Sequence, residues 1–159
     1  MGGCTSAGGC TAAREGRALK LDDAEARRRL GAVPVARLAT VTAAGRPHIV
    51  PFTFAIDGNR IVSAVDAKPK TTNQLKRLRN ISANPWVAVL ADQYAADWAQ
   101  LWWVRADGRA VILDGPAEMA EPLRSLARRY PQYRSNPPAG PVISIVVDRW
   151  TGWAATPGS

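Results

Sequence analysis

Between Val35 and Val65 the chain alternates short, half-apolar, β-branched runs with glycine turns, a pattern that favours antiparallel strands. Val35 to Thr42 is the first run, and Ala44-Gly45-Arg46 turns the chain. His48 to Ala55 is the second, Asp57-Gly58-Asn59 turns it again, and Arg60 to Val65 is the third. The spacing predicts a β-meander. Pro47 and Pro51 fall in the second run, and proline brings no donor to a ladder. That run is therefore expected at a sheet edge or interrupted at Pro51, where open backbone amides could grip a flat ring.

Helices flank this unit. Asp22 with Glu25 three residues on has the pattern of an N-terminal capping pair, predicting a helix to Leu30 that Gly31 stops. Its Arg27-Arg28-Arg29 run is expected on a solvated outer face. After Val65, Thr71 or Thr72 can cap a second helix with Leu75, Leu78 and Ile81 inward and Lys76, Arg77 and Arg79 outside or at the rim. Asn84-Pro85 ends it. Trp86 to Ala91 reads as a strand, Asp92 to Trp98 as a loop, and Leu101 to Leu113 as a long strand. Asp107-Gly108 within that strand fits either a hairpin turn or a bulge. Ala117 to Tyr130 is amphipathic at helical spacing and Pro131 stops it. The segment from Pro137 to Pro141 is a stiff connector, and Val142 to Val147 is a strand with Ile143, Ile145 and Val147 on one face. Six or so strands with two or three short helices predict a small barrel with peripheral helices.

Composition narrows the partners. The 159 residues are 47% hydrophobic, enough for one cored domain, expected over residues 19–155, with a tail at 156–159. No stretch approaches the roughly 18 apolar residues of a membrane span. Cys4 and Cys10 both sit in a Gly/Ala-rich leader, residues 1–18, expected to be disordered and lacking a secretory core segment. Two leader cysteines make neither a disulfide framework nor a four-ligand zinc site, so a reducing, cytoplasmic setting is expected. A net charge of +8 favours an anionic partner, although scattered basic residues argue against a nucleic-acid groove.

Lys68 and Lys70 flank Pro69 immediately before Thr71, Thr72 and Asn73 at the expected start of the second helix. Ammonium groups, hydroxyls and unbonded backbone amides could converge there on a phosphate. A solvated loop with an ordinary threonine cap is the competing reading. His48 is the single histidine, which excludes His-based zinc sites and nucleophilic triads. A hydrogen-bonded strand histidine is favoured over a proton-transfer role. Trp98, Trp102, Trp103, Trp150 and Trp153 are read as core or dimer-interface anchors rather than base-stacking platforms. Trp102 and Trp103 should point to opposite sheet faces. With no P-loop and no GxGxxG, any redox chemistry would belong to a bound cofactor.

The order of these motifs is similar to that of a known group. Arg37-Leu-Ala-Thr-Val-Thr-Ala-Ala-Gly-Arg-Pro-His-Ile-Val-Pro-Phe52, then Asp66-Ala-Lys-Pro-Lys70, then Leu75 to Asn80 resembles the pyridoxamine 5′-phosphate oxidase-like split-barrel superfamily. Leu90 to Trp98, Leu101 to Ala110 and the closing Arg149-Trp-Thr-Gly-Trp153 look most like its branch using the deazaflavin coenzyme F420. The resemblance implies a mainly β, six-stranded antiparallel split barrel with peripheral helices, forming a homodimer with cofactor sites at the interface. It implies His48, Ile49, Val50 and Pro51 as ring neighbours and Lys68, Lys70, Thr71, Thr72 and Asn73 as phosphate ligands. Arg77 would reach the cofactor's acidic tail, and Trp153 would approach the ring from the partner subunit. The activity implied is F420-dependent hydride transfer to a small conjugated substrate. The alternatives are an FMN-dependent reductase or oxidase of the same fold, or a non-catalytic binder of either cofactor. Residues for pyridoxal phosphate itself are not recognisable.

Overall fold

The computed structural model describes residues 19–65 and 72–156. In chain order these form β1 (Leu19–Lys20), α1 (Asp23–Ala32), β2 (Ala36–Val41), β3 (Pro47–Phe52), β4 (Ala55–Asp57) and β5 (Arg60–Ala64). There follow α2 (Thr72–Ala83), β6 (Trp86–Gln93), a 3-10 turn (Trp98–Gln100), β7 (Trp102–Leu113), α3 (Pro116–Arg129), α4 (Gln132–Ser135) and β8 (Val142–Ala154). One antiparallel sheet runs in the order β3-β2-β6-β7-β8-β5-β4, with β1 added to β8. The short β1 and β4 accompany the six barrel strands expected.

The expected meander is two hairpins at opposite ends of the sheet. β2 pairs β3, β4 pairs β5, and Gly45 and Gly58 turn them at φ 77° and 57°. The β2–β3 ladder is unbroken from Pro47 to Phe52, so the expected interruption at Pro51 is absent. The chain breaks instead at Thr53-Phe54, the joint between the two terminal strands of the sheet order. β3 is thus an edge strand, and its prolines fall at alternate positions whose amides can face away from β2.

The joint leaves Phe54 outside any ladder, and α3 meets its needs. The Tyr130 hydroxyl accepts from the Phe54 amide at 3.1 Å and lies 2.9 Å from the Phe54 carbonyl and 2.8 Å from that of Pro34. Arg129 donates to the Gly31 carbonyl at 2.8 Å and also to the Val33 carbonyl, while its guanidinium lies 4.7 Å from the Phe54 ring centroid. Leu38, Phe54, Ile61, Val89, Val104, Ile143 and Ile145 fill the barrel and are fully buried. Val62, Leu126, Tyr130 and Val142 form a second core beneath α3, so β5 is buried on both faces. Each fully buried aliphatic side chain contributes about 1.5–3 kcal/mol by the area it removes from water.

Several local expectations change. Gly31 lies inside α1, which ends at Ala32, and Pro34 forces extended backbone on the cap residue Val33. Arg27 and Arg29 are not on an outer face: their guanidiniums stand 5.5 and 5.6 Å from the ring centroids of Trp150 and Trp102. The capping bond from the Glu25 amide to Asp22 forms at 2.8 Å, but the Glu25 carboxylate turns to Arg28 and Arg29. Asp107-Gly108 is a bulge: Asp107 pairs Arg149 and Gly108 pairs Val147, leaving Asp148 extra. β6 extends into the expected loop as far as Gln93, and β8 continues past Val147 to Ala154. After Pro131 the chain turns helical again as α4.

Candidate functional site

The split between the ends of β3 and β5 opens a cleft of about 370 Å³. Val35, Pro51, Phe52 and Thr53 line one side, Ser63 and Ala64 another, and Arg77 and Tyr133 come from the helices. Six elements or joints thus converge where the sheet fails to close.

Arg77 is the charged group of the cleft. It was expected outside or at the rim of α2, yet it is only 8% exposed. Spacing explains the difference: Leu78 and Ile81 pack on the barrel, and Arg77 and Asn80 share the buried flank beside them. Burial pushes the guanidinium below its ordinary pKa, opposed by the nearby Tyr133. Its Nε has no hydrogen-bond partner among the described residues. A buried, unpaired cation is costly unless an anion meets it.

His48 sits on β3 with its side chain towards the core face, like Val50 and Phe52, and it is half-buried. Thr40 lies opposite in register, its hydroxyl 3.5 Å from His48 Nδ1, and Asn80 donates to that hydroxyl at 2.9 Å. Desolvation, then the positive charges of Lys76 and Arg77, hold its pKa below 6.5. The imidazole is therefore tied beneath α2. Contact with a ring lying outside β3 is left to the neighbouring Ile49 and Pro51.

Ile49 and Pro51 face outward, and Ile49 is 63% exposed. The same outer face carries Arg37 and Ala39 on β2, Leu90 on β6, Trp103 and Arg105 on β7, and Thr151 and Trp153 on β8. Trp103 and Trp153 are cross-strand partners, whereas Trp102 is buried on the opposite face and donates to Gln93 at 3.2 Å. Trp153 is four strands from β3, roughly 19 Å along the sheet at 4.8 Å per strand. Trp98 and Tyr94 stand exposed in the β6–β7 connection.

Of the other expected residues, Thr72 and Asn73 open α2, and Lys68, Lys70 and Thr71 lie outside the described residues. Sequence reasoning missed Thr53, Ser63, Tyr130 and Tyr133. One signal was available for the tyrosines: Tyr130-Pro-Gln-Tyr133 places them three apart around a proline that can start a helix as well as stop one. Among the described residues no group of His, Cys, Asp or Glu could hold a metal ion, and no helix is long and apolar enough to cross a membrane.

Residues 22–154 match the family described as pyridoxamine 5′-phosphate oxidase. Among solved structures, a conserved hypothetical protein of Mycobacterium tuberculosis is similar at TM-score 0.69 and 20% identity, over 87% of this chain and 91% of that one. A FAD-binding protein of Mesorhizobium loti is similar at TM-score 0.68 and 21% identity, over 86% and 97% of the two chains. The FAD binding protein of Mycobacterium smegmatis follows at TM-score 0.61 and 22% identity, over 84% and 97%. No curated protein matches the sequence.

Proposed function

Because the chain belongs to the pyridoxamine 5′-phosphate oxidase family, we propose that it binds a flavin nucleotide, FMN or FAD, and works as a flavin-linked oxidoreductase. The observation that carries this reading is Arg77, a buried guanidinium lining an open cleft with a donor unsatisfied among the described residues. A phosphoryl group supplies what that donor lacks. The flavin ring would supply hydride and single-electron chemistry; everything else falls to the chain.

Lys68, Lys70, Thr71, Thr72 and Asn73 would surround the phosphate at the start of α2, with Arg77 on its buried side. His48, Ile49, Val50 and Pro51 would lie along the ring, and the open-edge amide of Ile49 with the carbonyls of Ile49 and Pro51 would orient it. Pro47 and Pro51 cannot donate, so the Ile49 amide is the natural donor of that alternate set. His48, held neutral and tied to Thr40, would position β3 rather than move a proton. The described cleft lining holds no histidine, cysteine or carboxylate.

A homodimer joined through the outer sheet face completes this reading. Ile49 and Leu90 are exposed apolar residues there, and Trp153 is too far from its own β3 to touch a ring on it. From a partner subunit it could. The substrate would be a small conjugated molecule entering beside Tyr94 and Trp98.

A second reading replaces the flavin with F420. Its support is the motif order of the sequence and a net charge of +8, which suits an anionic oligoglutamyl tail. Titrating purified protein with FMN, FAD and F420 by fluorescence tests both. Micromolar or tighter flavin binding is expected; F420 binding with no flavin binding would move the assignment to the second reading, and binding of none would reject both.

A further inference from the structure

Tyr133 reaches the cleft from α4, the short helix after Pro131, and its position is fixed from two sides. Its ring meets that of Tyr130 edge-on, 5.6 Å between centroids. Its hydroxyl lies 3.2 Å from Thr53 Oγ1 at the joint between β3 and β4. Tyr130 itself is locked by Phe54 and Pro34, so neither hydroxyl can drift far.

Two hydroxyls sharing one hydrogen bond use one proton and leave the other undirected. That proton borders the same cleft as Arg77, whose side chain is more than nine-tenths buried and whose Nε has no partner among the described residues. Arg77 comes from α2 and the hydroxyl pair from the joint and α4, with Ser63 of β5 also on the lining. A planar carboxylate could satisfy the guanidinium alone and leave the hydroxyls idle. A tetrahedral phosphoryl group has oxygens for both.

We propose that Tyr133 and Thr53 are phosphoryl-recognition residues, forming with Arg77 a site that selects phosphorylated over unphosphorylated ligands. The proposal rests on the flavin reading only in naming the flavin phosphate as occupant. The chemistry requires a phosphoryl oxygen near the hydroxyl pair, whatever molecule carries it. α4 is then part of the binding site, and its seating on the sheet is coupled to occupancy.

The test compares wild type, Tyr133→Phe and Thr53→Val as full chains, titrated calorimetrically with FMN, riboflavin and inorganic pyrophosphate. Circular dichroism and the thermal midpoint report folding, and Thr53→Val, close in shape, serves if Tyr133→Phe does not fold. Wild type should prefer FMN to riboflavin, and each variant should lose roughly tenfold in FMN affinity, the effect of one hydrogen bond to a charged group, with riboflavin unchanged. If no flavin binds but pyrophosphate does, more weakly in the variants, the phosphoryl site stands while the flavin reading fails. Equal affinity of folded variants and wild type for FMN and pyrophosphate would overturn the proposal, as would failure of wild type to bind either.

Discussion

The hydroxyl of Tyr130 lies 3.1 Å from the amide nitrogen of Phe54 and 2.9 Å from its carbonyl oxygen, closing the backbone where the sheet cannot. A residue between two terminal strands has no ladder neighbour, and one phenol takes that place. Tyr130→Phe keeps the ring and its packing but strips a buried amide and carbonyl of their partner. The expected loss is about 1–3 kcal/mol of unfolding free energy, read from the urea midpoint at unchanged slope. An unchanged midpoint would mean water replaces the hydroxyl.

Arg77 places binding and stability in opposition. Arg77→Met removes a buried cation while keeping much of its volume, so the ligand-free protein should melt no lower than wild type. Flavin affinity should fall at least about tenfold, since a charge-assisted bond to phosphate is lost. Differential scanning fluorimetry with and without FMN separates the two effects. A marked drop in the ligand-free midpoint would show that the guanidinium is structural.

Gly108 is required by close approach. A Cβ built there would lie 2.2 Å from the Val146 carbonyl oxygen, so β7 and β8 would have to part at the bulge. Gly108→Ala should destabilise by about 2–4 kcal/mol, in the range of severe overpacking. Chemical denaturation of the purified variant measures it; a loss under about 0.5 kcal/mol, the scale of a neutral surface change, would contradict the geometry.

Acid should weaken the fold through Glu25. Hydrogen bonds from Arg28 and Arg29 hold its carboxyl at about 2 against an ordinary 4.5. The unfolded chain therefore takes up this proton first as pH falls, so the stability Glu25 contributes is whole above 4.5 and gone by about 2. His48 acts in the same sense from 6.5 downward, because its folded pKa is also depressed. Melting curves of wild type and Glu25→Gln should differ near neutral pH and converge towards pH 2. A constant difference across that range would remove Glu25 from the account.

Ile49 and Leu90 test the proposed dimer. Glutamate at both positions should leave the barrel intact, since both side chains are exposed on the outer face. Sedimentation should show a dimer for wild type and a monomer for the double variant, with weaker flavin binding. A monomeric wild type that binds flavin fully would reject the interfacial site.

Much of the fold was legible because strand period and glycine turns are local signals. Gly45 and Gly58 marked both hairpins, Asp22 marked the start of α1, and Ile143, Ile145 and Val147 marked an inner face. What was not local was lost. Nothing between Val35 and Val65 reveals that its two hairpins belong to opposite ends of one sheet, because β6, β7 and β8 come later and decide it. The same is true of the cleft. Thr53 and Tyr133 are 80 positions apart, and helical spacing alone could not show that Arg77 faces inward while Lys76 does not. Arg27 and Arg29 looked solvated because charge suggests water, but two indoles offered them flat surfaces.

The position of β8 has a consequence for biosynthesis. It lies between β7 and β5 and also carries β1, yet it is translated last of the sheet's strands. Until it emerges, a nascent chain holds two bare hydrogen-bonding margins rich in valine and isoleucine, the kind of surface on which neighbouring polypeptides pair wrongly. Closure of the sheet must then come late, completed in one step when a single ribbon zips both margins. Translation arrested after α4 should accordingly yield a chaperone-bound, protease-sensitive species rather than a partial barrel.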